Sequence, residues 1–263
     1  MATIPCLYAP VIVSAALPMT LRMSYSRAGP VVVAAFDTAI TAGTFTAPSG
    51  TGSLVAQVDT DFGTINGVSV AFIVSTNGVV TIRVTGLDNG ADCFIHWDNS
   101  AATGRLATAL GFSSAAPSQI GPVGGTATFV APSAMPGYWT PGVPPRSSEP
   151  VTEQDAIVNR TQGGQNTYDV LGRWAGKRVA IEWMAAGKVK IESETVTNES
   201  LERILTSDTY PGRFRWWVDR DTLGSGAGNF FFEPEVLQMI DPQRLSEAMP
   251  LYSVNLRMSE FVS

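Results

Sequence analysis

Ionisable side chains are scarce in this sequence. Asp, Glu, Lys and Arg supply only 15% of its 263 residues, well below the usual quarter. That is too little charge to build a long acidic or basic disordered tail. Bases are scarcer than acids, 17 against 23, and the net charge is −6. A nucleic-acid binder uses basic groups to displace counterions from phosphate. No basic run exceeds Lys177-Arg178, so nucleic-acid binding is not expected as a main role.

Histidine occurs once, at His96, and cysteine twice, at Cys6 and Cys93. No CxxC pair exists, so a Cys/His zinc site is not expected. One disulfide between the two cysteines is possible from sequence, but the burial habit of free Cys favours two buried thiols acting as small hydrophobes. Long apolar runs are missing too. The stretch Val11 to Leu17 is bounded by Pro10 and Pro18 and has no positive region before it. Neither a signal peptide nor a membrane span is expected, and synthesis in a cytoplasm is.

What the chain does have is scattered turn chemistry. Gly 25 and Pro 17 are spread along it without a repeat, as many short strands require. Three Asn-Gly pairs, Asn66-Gly67, Asn77-Gly78 and Asn89-Gly90, punctuate residues 63–98. Asn-Gly favours two-residue type I′ hairpins. Between them Val68, Val70, Phe72 and Val74 share one strand face, and Val80, Ile82 and Val84 alternate with Thr81, Arg83 and Thr85. With the short aromatic stretch Cys93 to Trp97, this reads as an antiparallel meander.

Arg105 to Phe112 then reads as a two-turn helix, with Ser100 or Thr103 as its cap and Gly111 as its left-handed end. It would plug one end of the β core. Thr126 to Ala131 is strand-like. Beyond it, Pro141, Pro144, Pro145 and Pro150 prevent any long element. Further strands are expected at Lys177–Met184, Lys188–Glu192, Arg213–Asp219, from Phe230, and at Tyr252–Met258, with a short helix opening near Thr197. The expected fold is mainly β: antiparallel sandwich or barrel domains with short helices and an extended Pro/Gly-rich linker. Its expected divisions are 1–135, a linker or arm over 136–168, and 169–263.

Catalytic chemistry finds little purchase. A Ser–His–Asp arrangement would have to use His96, yet no G-x-S-x-G elbow exists. Asp59 with Asp61, and Glu233 with Glu235, are two apart, a spacing that shares one face of a strand. Asp59-Thr60-Asp61-Phe62-Gly63 also suggests alternate calcium ligands but lacks the downstream Glu; a turn with solvated acids is the simpler reading. Asp61-Phe62-Gly63 has no kinase phosphate loop beside it, and Gly224-Ser225-Gly226-Ala227-Gly228 is followed by no Lys-Ser/Thr. No catalytic, cofactor or metal residue is predicted, and the chain is expected not to be an enzyme. The remaining feature is aromatic. Adjacent strand residues point to opposite faces, so Trp216 and Trp217 cannot both enter one core. With Tyr138, Trp139 and Tyr252 they are the candidate subunit-interface residues, and the last predicted strand is expected to form an open sheet edge. Sugar stacking by Trp216-Trp217 and Tyr138-Trp139 is the alternative use.

Two blocks resemble tail proteins of tailed bacteriophages. One is Phe94-Ile95-His96-Trp97-Asp98 leading to Leu106-Ala107-Thr108-Ala109-Leu110-Gly111-Phe112. The other is Pro211-Gly212-Arg213-Phe214-Arg215-Trp216-Trp217-Val218-Asp219-Arg220, then Phe230-Phe231-Phe232 and Leu251-Tyr252-Ser253-Val254-Asn255-Leu256-Arg257-Met258. Together they cover about a third of the chain. The resemblance implies a structural virion subunit of the distal-tail, hub or baseplate kind. It also implies a homo-oligomeric ring, most often sixfold, with other tail proteins as partners. It implies no catalytic residue. Tail tube, tail terminator and head-to-tail connector subunits are the nearest alternatives, and a receptor- or glycan-binding module on the tail is the alternative from another class.

Overall fold

In a computed structural model, the backbone is described for residues 6–25, 34–65, 68–88, 92–121, 123–142, 144–145, 147–151, 154–160, 166–173, 178–187, 214–217, 219–221, 229–243 and 251–260. From residue 147 onward, strand residues other than Arg215 and Trp217 are placed by backbone register. The expected strand at 188–192, the helix near Thr197 and the turn at Asn89-Gly90 lie outside these residues.

In chain order the strands begin with β1 (Cys6–Tyr8), β2 (Val11–Val13), β3 (Thr20–Tyr25), β4 (Ala34–Ala39) and β5 (Gly43–Phe45). Helix α1 (Leu54–Phe62) precedes β6 (Thr64–Ile65), β7 (Val68–Val74), β8 (Val79–Thr85) and β9 (Cys93–Ile95). After helix α2 (Ala101–Ala109) come β10 (Ser118–Ile120), β11 (Thr126–Ala134), β12 (Tyr138–Trp139), β13 (Ser147–Val151), β14 (Gln154–Arg160) and β15 (Asn166–Arg173). The last are β16 (Arg178–Gly187), β17 (Phe214–Trp217), β18 (Asn229–Gln243) and β19 (Leu251–Glu260). The chain is mainly β, and every strand pairing described is antiparallel.

Two four-stranded sheets, ordered β11-β8-β7-β6 and β10-β9-β3-β4, contribute to one core with both helices. The alternation read from the sequence decides the first sheet. Val68, Val70, Phe72, Val80, Ile82 and Val84 are buried, while Ser69, Ile73 and Arg83 are exposed. Leu21, Met23, Tyr25, Cys93 and Ile95 are buried from the second sheet. A seven-stranded sheet, ordered β12-β1-β17-β18-β19-β16-β13, joins strands from both halves of the chain; β2-β5 and β14-β15 stand as separate pairs. No sheet closes on itself among the described strands.

The meander expected over 63–98 holds for two of its three strands. Ile65 pairs with Val68 across the first Asn-Gly. The second turn is a three-residue loop instead of a type I′ turn. Gly78 N–H donates to the Ser75 carbonyl, Ser75 N–H to the Val79 carbonyl, and Gly78 has φ 75°. This is the type I turn with a left-handed glycine that longer hairpin loops use. The third strand leaves the sheet. Cys93–Ile95 pairs with β3 and β10, since its buried Cys93 and Ile95 face the core from the other side.

Helix α2 starts four residues earlier than Arg105. Ser100 and Thr103 both serve its cap, as a capping box: Thr103 N–H donates to Ser100 Oγ, and Ser100 N–H to Thr103 Oγ1. Leu110 is its C-cap and Gly111, φ 82°, its left-handed end. Helix α1 stands where the sequence suggests a turn. Asp59 and Asp61 lie in its last turns, and two residues apart on a helix do not share a face.

Within 136–168, the stretch expected as a linker or arm, lie strands β12, β13 and β14, and Tyr138 through Pro141 are buried. Pro150 is tolerated because β13 is an edge strand, where a missing N–H breaks no ladder. The expectation that 252–258 forms an open edge is overturned. β19 lies inside the sheet between β18 and β16, with Val254 opposite Met239 and Trp183, and Leu256 opposite Leu237 and Ile181. Those cross-strand rows are apolar, and an apolar row is best used between two partners. Pro234 and Pro242 sit at or beside register shifts in β18, which is how an interior strand accommodates proline. The same shift at 234–236 removes the simple alternation that would align Glu233 with Glu235.

Candidate functional site

Strand β1 brings together most of the aromatics singled out in the sequence. Leu7 stands between Trp139 and Trp216, Tyr8 between Tyr138 and Arg215, and Cys6 opposite Trp217. Tyr138 and Trp139 are 0% exposed and Trp217 1%. These three are core residues of this chain and offer no surface to a partner, which corrects their assignment as interface residues. Trp216 and Tyr252 are placed by register on β17 and β19, and their side chains are not described.

Around this joint the polar groups tie strands to one another. Tyr138 Oη donates to the Thr76 carbonyl at 2.5 Å, and Arg220 Nη1 to Asn77 Oδ1 at 3.3 Å. Both contacts seize the tip of the β7–β8 hairpin. Arg215 Nη1 donates to Thr46 Oγ1 at 3.1 Å, and its guanidinium lies 5.6 Å from the Trp217 ring centroid, a cation–π distance. Burial lowers the Arg215 pKa, yet a guanidinium stays charged at any ordinary pH.

The two cysteines are free and buried. Burial drives the Cys6 thiol well above its ordinary range, reinforced by Asp219 and opposed by its hydrogen bond with Tyr138 and by Arg220. Burial alone pushes Cys93 up to about 12. Neither is a thiolate near neutrality, so neither is a nucleophile there. A thiol pKa raised on folding stabilises the fold fully below the unfolded value near 9.0 and loses that contribution as pH climbs towards about 12. Alkaline melting curves should therefore steepen above about pH 9, and Cys93→Ala should flatten them. An unchanged slope in that variant would remove Cys93 as the cause.

His96 lies just past the end of β9, its N–H donating to the Arg22 carbonyl, and its ring bonds a neighbour. Its Nε2 lies 2.7 Å from Ser24 Oγ, and its ring is nearly parallel to Phe94 at 6.0 Å between centroids. Ser–His contact is the first half of a nucleophile-and-base pair. Ser24, however, is 3% exposed within β3, and among the described residues no carboxylate bonds the imidazole. Beside it, Arg22 and Asp37 form an ion pair at 3.3 Å with both side chains partly exposed, a contact of small energetic weight.

Asp61 is committed to structure. It accepts from Thr41 N–H at 2.7 Å, Thr41 Oγ1 at 2.9 Å and Gln57 Nε2 at 2.8 Å, pinning the chain after β4 to α1. Asp59 accepts from Phe72 N–H at 3.4 Å. Among the described residues no three His, Cys, Asp or Glu side chains gather as a metal site. No described helix is long and apolar enough to cross a membrane. No protein-family profile matches the chain, and no curated protein matches it.

Proposed function

We propose that this chain is a structural subunit of a bacteriophage tail, of the distal-tail, hub or baseplate kind. It works as a ring, sixfold in the form such tails most often take, among other tail proteins of the virion. The supporting observation is where its few ionisable groups go. Asp61, Arg215 and Arg220 join separate segments, Arg22 pairs with Asp37 across β3 and β4, and His96 closes on a buried serine. Chemistry that a hydrolase would aim at a substrate is spent here on holding strands and loops together. We read the two four-stranded sheets over one core as a sandwich.

The alternative of a glycan-binding module draws on a different feature, the paired Phe94 and His96 rings beside Arg22 and Asp37. Locating the chain in an electron-microscopy map of the particle separates the two. Density in a coaxial ring supports the tail-subunit reading, and a peripheral monomer at a fibre tip favours the module. Purified protein should release no product from peptidoglycan or polysaccharide, and His96→Ala should leave tail assembly within twofold of the parent. Turnover that disappears in that variant would overturn the structural reading.

A further inference from the structure

Asn77-Gly78 is a reactive pair as well as a turn. In an open chain the glycine leaves the backbone nitrogen after Asn77 unhindered, because no Cβ shields it. That nitrogen can bond to the side-chain carbonyl carbon of Asn77. Its proton departs with the side-chain nitrogen as ammonia, and the chain closes a five-membered imide. Water then opens the ring at either carbonyl and leaves aspartate or isoaspartate at position 77. No enzyme is needed, and the sequence carries the same pair at 66–67 and 89–90.

At position 77 the fold holds both reacting groups. The nucleophile is engaged: the Gly78 N–H donates to the Ser75 carbonyl at 2.9 Å, and Gly78 is buried. The electrophile is engaged too: Asn77 Oδ1 accepts from Arg220 Nη1 at 3.3 Å. The loop that joins them is pinned from above. The Tyr138 hydroxyl donates to the Thr76 carbonyl, and its fully buried ring occupies the space where a Gly78 Cβ would stand. Imide closure requires the nitrogen to give up its proton and the amide to swing onto it in a near-attack geometry. Both movements work against these contacts.

We propose that Asn77 is a spontaneous deamidation site that Arg220 and Tyr138 keep silent, so that it reacts only in copies whose hairpin tip has come free of them. The rate then follows the open fraction, as chemistry on a transiently opened segment does when reclosing is fast. The step is one-way. Isoaspartate routes the backbone through the side-chain carbon and lengthens it by a methylene. It does so in a tight loop beneath a buried ring, where added volume is costly. Each opening that reacts therefore removes a subunit from those that can close again. The lock does not depend on the tail assignment.

The test incubates the full chain at mildly alkaline pH, folded in buffer and unfolded in guanidinium chloride. Peptide mapping by mass spectrometry follows deamidation at each asparagine. Unfolded, all three Asn-Gly pairs should react at similar rates. Folded, Asn77 should react at least an order of magnitude more slowly than it does unfolded. Arg220→Ala and Tyr138→Phe, each shown by circular dichroism to keep the fold, should speed the folded reaction severalfold. Equal rates at Asn77 in the folded and unfolded chain would overturn the lock without recourse to any variant. So would folded variants that react no faster than the parent. An Arg220→Ala chain that reacts more slowly would mean that the guanidinium polarises the amide for attack instead of restraining it.

Discussion

Gly78→Ala should cost roughly 3 kcal/mol, the sum of two penalties each of about 1–2 kcal/mol or more. Gly78 has φ 75°, where a Cβ meets the following carbonyl. A Cβ there would also run into the Tyr138 ring, closer than real contacts allow. That ring cannot easily step aside. Tyr138 is fully buried, sits in register with Tyr8, and is tied by its hydroxyl to Thr76. For a domain of this size roughly 2–4 °C of melting temperature accompanies each kcal/mol, so a fall of about 10 °C is the expected reading. A double-mutant cycle separates the penalties. In a Tyr138→Ala background the glycine substitution should lose only its backbone part. Equal costs in both backgrounds would show that the ring contact contributes nothing.

Trp97→Ala should be at least as damaging, about 3–5 kcal/mol. Trp97 is 1% exposed and stacks on Phe112 at 4.9 Å between centroids. Its Nε1 donates to Ser118 Oγ at 3.0 Å, and its carbonyl accepts from buried Thr103 Oγ1 at 2.9 Å. One residue thus fastens the end of β9 to the α2 cap, to β10 and to the turn after Gly111. Trp97→Phe keeps much of the volume and loses the indole donor, so it should fall well short of the alanine cost. Chemical denaturation measures both. An alanine variant within about 1 kcal/mol of the parent would mean that the site collapses around the loss.

The local signals in the sequence are readable where periodicity and capping agree. Val68 to Val74 and Val79 to Thr85 announce their faces, and Ser100, Thr103 and Gly111 mark α2. Helix α1 has comparable marks. Ser53 accepts from Ala56 N–H, and Leu54, Val58 and Phe62 repeat every four residues. They are obscured by Thr60 and the two aspartates, which suit a turn equally well. Long-range pairing is what the sequence does not reveal. Cys6-Leu7-Tyr8 is only three residues long and carries no period at all, yet it lies between strands from residues 138–139 and 214–217. The error over Tyr138, Trp139 and Trp217 has that origin. Counting faces on one strand gives no account of which strands flank it; β1 joins β12 and β17 side by side in one sheet, and Tyr138, Trp139 and Trp217 are buried there. The strands within 136–168 follow a related rule. Proline excludes helices and interior ladders, but it leaves edge strands such as β13 open.

The position of β1 also sets a timetable. Its partner Phe214–Trp217 is made some two hundred residues later, and ribosomes add about 5–20 residues per second. Cys6, Leu7 and Tyr8, all 0–1% exposed in the finished fold, must therefore wait unpaired on that side for on the order of ten seconds or more. During that interval the nascent chain presents an apolar strand with a vacant edge. Such a chain exchanges strands with its neighbours more readily than a chain of local hairpins does. Seating β1 against β17 is therefore a late step of folding, possible only once almost the whole chain has been made.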